Sequence, residues 1–244
     1  ISPIEADSSP TETKWIKTNA RELEDYFVWQ VCNFTMGHQL EVIWYLLPES
    51  GALSVSFWSN WKENQCAYDS YCQNIYPAMC QVLTKCMQHK ESIQLLELCS
   101  GDGELAKMMF ELPHVGGKIM KYHGYELNQQ ALSQAQACLQ QEITAEKVLL
   151  HSSDVLKEKY EHISELVDMI IASGALTFSV MPSKAASLFV LENSLNKLKV
   201  GGFLLLSGLE RHFVCANDLR KLRLEVLNTY LPGVGQCYLA KKRA

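Results

Sequence analysis

The residues Leu96-Glu97-Leu98-Cys99-Ser100-Gly101-Asp102-Gly103 combine a buried-strand run, a carboxylate and two closely spaced glycines. Placed where a first strand turns into a first helix, such a loop lets the backbone approach a ligand and aims helix N–H groups at it. A dinucleotide and a nucleoside cofactor both suit that geometry, and charge separates them. Glu97, Asp102 and Glu104 flank the glycines, so a pyrophosphate would be repelled there. A nucleoside that carries positive charge is complementary to the same loop. Position 106 is alanine, where the G-x-G-x-x-G fingerprint has its third glycine, and this also turns the reading away from a dinucleotide.

Two further acids stand at predicted strand ends: Glu126 in Gly124-Tyr125-Glu126-Leu127, and Asp154 in Ser152-Ser153-Asp154-Val155. Taken with the glycine loop, the stretch from about Ser92 to the C-terminus resembles the class I S-adenosylmethionine-dependent methyltransferases. That family's first motif runs D-x-G-x-G-x-G. Glu97 takes its acidic position, Gly101 and Gly103 match its last two glycines, and Cys99 stands where the first glycine is usual. The resemblance implies that Glu126 takes both ribose hydroxyls, with Leu127 beside it, and that Asp154 recognises the adenine amino group, with Val155 presenting a backbone N–H. It implies that Ser173 and Gly174, closing the run from Asp168, line the same site, and the Leu198-Lys199-Val200-Gly201-Gly202-Phe203 run is also typical of the family. Glu126 follows Gly103 by 23 residues, and Pro113 to Lys118 reads as an extra loop between them. The cofactor implied is S-adenosylmethionine, with S-adenosylhomocysteine as product.

Methyl transfer from a sulfonium is an in-line displacement, which asks a protein to align the nucleophile and exclude water. A hydroxyl or carbon acid acceptor also needs a base within hydrogen-bond reach. In the family's fold the acceptor lies over the fourth and fifth strands of the sheet, so Ser173 to Met181, including Phe178, and Gly208 to Phe213 are expected to line its pocket. His212 is the candidate base and Glu210 the second; the plainer reading of His212 is an ordinary loop histidine. The run Ser173-Gly174-Ala175-Leu176 lacks the Asn/Asp-Pro-Pro-aromatic signature of enzymes that methylate planar nitrogens. A non-catalytic interaction protein with the same fold is the alternative, motivated by Cys99 and by the absence of a partnered base. A nicotinamide-dependent oxidoreductase stands third on the charge argument.

The elements that must position these residues follow from periodicity. Strands are expected at Ile93 to Leu98, Ile119 to Glu126, Val148 to Ser152, Val167 to Ala172 and Gly202 to Ser207. Helices are expected from about Gly103 to Leu112, Gln129 to Glu142, Lys184 to Lys197 and Asn217 to Lys221. Alternation in Leu222 to Val226, Pro232-Gly233 and a short strand from Gln236 to Ala240 predict an antiparallel hairpin closing the sheet. The fold class is therefore α/β: a doubly wound, mostly parallel sheet, seven-stranded in the family it resembles, with a helical N-terminal cap. Helices are expected from Ala20 to Leu47 and from about Asn74 to Gln88. All five tryptophans fall in the first 61 residues, and this aromatic zone reads as core filler or as a lid contributing Tyr26, Trp29 and His38 to an acceptor pocket. Residues 1–90 then form the cap and 91–244 the cofactor domain.

With 22 basic against 27 acidic residues and a net charge of −5, the chain has no global attraction for nucleic acid or anionic membrane. A small molecule or a protein is the expected acceptor. Nine cysteines, an odd number with no C-x-x-C pair, point to a reducing, cytoplasmic setting. Cys66, Cys72, Cys80 and Cys86 with His89 invite a zinc reading, but their five, seven and five intervening residues are wider than structural zinc spacings, so no metal is expected.

Overall fold

The structure, a computed structural model, describes residues 28–35, 38–46, 71–177, 180–207, 214–231 and 235–244, with side chains from residue 72 onward except at 230, 231, 235 and 236. β1 (Val28–Thr35) and β2 (His38–Leu46) pair antiparallel, with Trp29 opposite Tyr45, Val31 opposite Ile43 and Thr35 opposite His38. This corrects the helix expected over Ala20 to Leu47. Three- and four-residue spacing suggested a helix, but the segment is rich in β-branched and aromatic residues, which favour a pleated strand with cross-strand partners.

A π-helical turn (Tyr71–Ile75) leads into α1 (Tyr76–Met87), which carries proline in its first turn, where no backbone donor is lost. β3 (Ile93–Leu98), α2 (Glu104–Phe110), β4 (Ile119–Glu126), α3 (Gln129–Cys138), the short α4 (Gln140–Thr144), β5 (Val148–Ser152), β6 (Val167–Ser173), α5 (Lys184–Leu195), β7 (Leu198–Ser207), α6 (Ala216–Lys221), β8 (Leu224–Leu231) and β9 (Gly235–Lys242) follow. The sheet has seven strands in the order β5-β4-β3-β6-β7-β9-β8. β3 to β7 are parallel, while β9 runs antiparallel to both β7 and β8. The closing hairpin thus stands where alternation put it, with Leu231 opposite Gly235.

Each face of the sheet buries its own core, because successive strand residues point to opposite sides. On one face Leu96, Leu98, Ile170, Ala172, Leu204 and Leu206 pack with Val190, Leu191 and Leu195 of α5 and Leu219 of α6. On the other, Ile93, Leu95, Met169, Ile171 and Leu205 share a cluster with Met79, Leu83 and Met87 of α1 and with Leu105 and Met109 of α2. α1 therefore belongs to the core of the sheet unit, and a division at residue 90 would cut through that core. The reversal of strand order falls between β3 and β6, and the C-terminal end at that point is where an open α/β sheet leaves a crevice for a ligand.

Candidate functional site: the glycine loop and its three acids

The loop after β3 takes a left-handed backbone at alternate residues: Cys99 at φ +55°, Gly101 at +59° and Gly103 at +84°. Glycine adopts this conformation freely, whereas a residue with a Cβ pays about 1–2 kcal/mol. Cys99 thus holds a backbone conformation that a glycine takes more readily. Gly103 is needed for a second reason. A Cβ there would lie 3.1 Å from both the Ala135 Cα and the Leu139 Cδ1, so the side-chain-free position lets α3 close against the start of α2. Gly124 does the same on β4, where a Cβ would meet the Ser100 Oγ and the Tyr122 ring at 2.9 Å.

Glu126 ends β4 and is 6% exposed. Its Oε2 accepts the Gly101 N–H at 3.0 Å and its Oε1 accepts the Asn128 N–H at 2.7 Å. The Ser100 N–H donates to the Tyr125 carbonyl at 2.9 Å, so the loop is tied to the end of β4 twice. Burial pushes the Glu126 carboxyl up, and the backbone N–H groups of Asn128, Gly101 and Leu127 oppose that shift. Each carboxylate oxygen keeps a second lone pair for another donor. Asn128 is the N-cap of α3, its side chain accepting from the Gln130 and Ala131 N–H groups.

Glu97, 2% exposed, accepts the Tyr122 hydroxyl on Oε2 at 2.6 Å. Burial pushes its carboxyl up to about 8, with Asp102 and Glu126 adding to the rise and the Tyr122 hydrogen bond opposing it. No basic side chain among the described residues pairs with Glu97 or Glu126. Asp154, after β5, accepts the Leu156 N–H at 3.0 Å and meets the Lys157 Nζ at 3.3 Å, and Val155 beside it is buried. Ser173 ends β6 with a buried hydroxyl that has no partner among the described residues, and Gly174, at φ +74°, donates its N–H to the Ser207 carbonyl. Ser207, opposite Ser173 in register, also has a buried hydroxyl without a partner among the described residues.

Glu97, the loop and Glu126 are brought together directly through the register of β3 and β4, in which Glu97 faces Gly124 and Leu98 faces Tyr125. Asp154 and Ser173 stand at the same sheet edge, at the ends of β5 and β6. Asp168, in the sequence run that ends at Gly174, lies instead at the opposite end of β6. There it is held by Lys90 and Lys199, each at 3.0 Å, and by the Gln94 N–H at 2.9 Å. Sequence reasoning missed Tyr122, whose role appears only once strand register is known, and Ser207. It also missed Asn128, although an asparagine just before a helical pattern is a legible N-cap signal. Trp29 and His38 lie on β1 and β2, with side chains outside the described residues, as are Tyr26, Phe178, Glu210 and His212 altogether. Among the described residues no group of three or more metal-ligating side chains is arranged to hold a metal ion, and no helix is long and apolar enough to cross a membrane. No disulfide joins the described cysteines.

No family model matches the sequence, and no curated protein matches it. Solved structures do match its fold. The N-methyltransferase NodS from Bradyrhizobium japonicum, in complex with S-adenosyl-L-homocysteine, superposes with a TM-score of 0.57 at 13% identity, covering 77% of this chain and 96% of that one. An S-adenosylmethionine-dependent methyltransferase from Clostridium acetobutylicum gives 0.57 at 14%, covering 76% and 100%. Magnesium protoporphyrin IX methyltransferase from Synechocystis, with bound SAM, gives 0.55 at 12%, covering 73% and 83%. Against the pyocyanin biosynthetic protein PhzM the TM-score is 0.52 at 16%, and the match spans about half of that protein, 54%, and 67% of this chain. The sheet order, the antiparallel closing strand and these superpositions together give this chain the fold of the class I S-adenosylmethionine-dependent methyltransferases.

Proposed function

We propose that the protein binds S-adenosylmethionine at the C-terminal ends of β3, β4, β5 and β6 and transfers its methyl group to a small-molecule or protein side-chain acceptor. The observation that carries this reading is the junction of the glycine loop with Glu126. A buried carboxylate is fixed by the Gly101 and Asn128 N–H groups and keeps two lone pairs for a vicinal diol. The rest of the site fits the same ligand. Gly101 and Gly103 carry no Cβ toward the ligand, the carboxyl groups of Glu97, Asp102 and Glu126 cluster around the loop, and the Ser173 hydroxyl is buried without a partner among the described residues. A dinucleotide would bring its pyrophosphate to that group of acids.

S-adenosylmethionine would supply a methyl group on a sulfonium, already activated for displacement. This chain's residues then have to bind, orient and exclude water. In this reading Glu126 holds the ribose, Asp154 and the Val155 N–H face the adenine, and the loop from Glu97 to Gly103 holds the amino acid end. His212 and Glu210, which follow β7 in sequence, are the candidates for a base where the acceptor must lose a proton. The test is calorimetric titration with S-adenosylhomocysteine: saturable binding with one site supports the reading, and a folded protein that binds neither form of the cofactor overturns it.

A further inference from the structure

Glu97 is nearly inaccessible and, among the described residues, has a single hydrogen-bond donor, the Tyr122 hydroxyl at 2.6 Å. The ionisable groups facing it are Tyr122 and Glu126 from β4, Asp102 from the loop and Cys80 from α1, with Cys99 in the loop and Tyr76 of α1 beside Tyr122. The neighbouring β6 presents Ile171 in register, and α2 adds Leu105, Ala106 and Met109 to the core on that face. Every one of these charges is negative or neutral. A carboxylate buried with one donor and no cation is unfavourable, and it becomes favourable when a cation arrives.

Resting on the cofactor reading above, we propose that Tyr122 is a positioning residue that presents Glu97 as a proton-exchanging counter-charge, so that cofactor uptake expels one proton from the Glu97 carboxyl. The cofactor's ammonium takes the place of that proton as the positive charge in the cluster. The rise of the Glu97 carboxyl to about 8 sets the window: affinity climbs with pH toward 8 and falls beyond it, where the cofactor's own amino group loses its proton. Tyr122 keeps its own proton, since burial and the Glu97 charge both push its phenol up, and it therefore donates throughout. By linkage a single proton expelled gives at most about a tenfold change in affinity per pH unit.

The experiment is calorimetric titration of the full chain with S-adenosylhomocysteine in buffers of different ionisation enthalpy, from pH 6.5 to 9. At pH 6.5 the ligand's own amino group, with a pKa of about 8, is already protonated, so the release of close to one proton reports on the protein. The expected results are that release, an affinity gain of roughly tenfold between pH 6.5 and 8, and loss of both in Glu97→Gln. In Tyr122→Phe the pH dependence moves upward, so the ratio of variant to wild-type dissociation constants, in which the ligand's own titration cancels, is large at pH 7 and narrows toward pH 9; a purely structural role would keep that ratio the same at every pH. Should neither variant fold, the wild-type proton count decides alone. Binding without proton release and with flat affinity overturns this inference and leaves the cofactor reading intact, whereas no binding at any pH overturns both.

Discussion

The backbone N–H of Gly101 donates to Oε2 of Glu126 across 3.0 Å, tying the glycine loop to the end of the adjacent strand. With Oε1 held by Asn128, both carboxylate oxygens are fixed before any ligand arrives, which lowers the ordering cost of binding. The loop's shape and the acid's orientation are therefore one unit. Disturbing either is expected to disturb ligand affinity.

Gly103→Ala tests the loop. The new methyl meets the Ala135 Cα and the Leu139 Cδ1 at 3.1 Å, on a backbone at φ +84°. Strain of about 1–2 kcal/mol from the left-handed conformation adds to the displacement of α3. Urea denaturation should show a loss of about 2 kcal/mol or more, and S-adenosylhomocysteine binding should weaken with it.

Cys99 offers the converse. At φ +55° a glycine relieves strain but adds unfolded-state entropy, and the two nearly cancel. Cys99→Gly should therefore stay within about 1 kcal/mol of the wild type and keep its cofactor affinity. Cys99→Val, β-branched at positive φ, should lose about 2 kcal/mol or more. Equal behaviour of the two variants in the same denaturation series would contradict the strain argument.

Stability should fall as pH rises from 6.5 to 8. The Glu97 carboxyl, raised by burial to about 8, keeps its proton in the folded state while the unfolded chain has lost it. Folding stability is thus fully present below the ordinary glutamate range and is lost as pH climbs to 8, on the order of 2 kcal/mol above pH 6.5. His123 has the opposite sign. Burial, then His151, His162 and Lys121, lower it to about 4, and its Nδ1 lies 3.2 Å from the His151 Nε2. Its contribution disappears as pH falls from 6.5 toward 4, below the window set for Glu97. Chemical denaturation at pH 6.5, 7 and 8 should show the decline in the wild type and a flatter profile in Glu97→Gln.

Asp168→Asn separates stability from binding. Lys90, Lys199 and the Gln94 N–H hold this buried carboxyl, and the three hydrogen bonds more than offset its burial and keep it below the ordinary aspartate value. Both lysines are partly exposed, so the loss is moderated by solvent and should be about 2 kcal/mol. S-adenosylhomocysteine affinity should not change, because Asp168 stands at the far end of β6 from the loop.

Much of the sheet was legible because its strands are short apolar runs with clear breaks. Ile93 to Leu98, Ile119 to Glu126 and Val148 to Ser152 have the bounds that periodicity predicted. The acids at their ends, Glu97 and Glu126, were legible by type and place. What they touch was not, since the Tyr122–Glu97 hydrogen bond depends on register between strands 25 residues apart. The residues Val28 to Leu46 misled for a different reason. Their apolar positions satisfy helical spacing, but their β-branched and aromatic content is better placed in the hairpin of β1 and β2.

Glu126 and the loop it fixes are proposed to hold S-adenosylmethionine. Calorimetry with S-adenosylhomocysteine on the wild type and on Glu126→Ala, with circular dichroism to verify that both are folded, tests it most directly. The expected result is one-site binding by the wild type and a loss of about 100-fold or more in the variant, which gives up two charge-assisted hydrogen bonds to the ribose and the tether to Gly101. Binding of equal strength by both proteins, or none by a folded wild type, would contradict it.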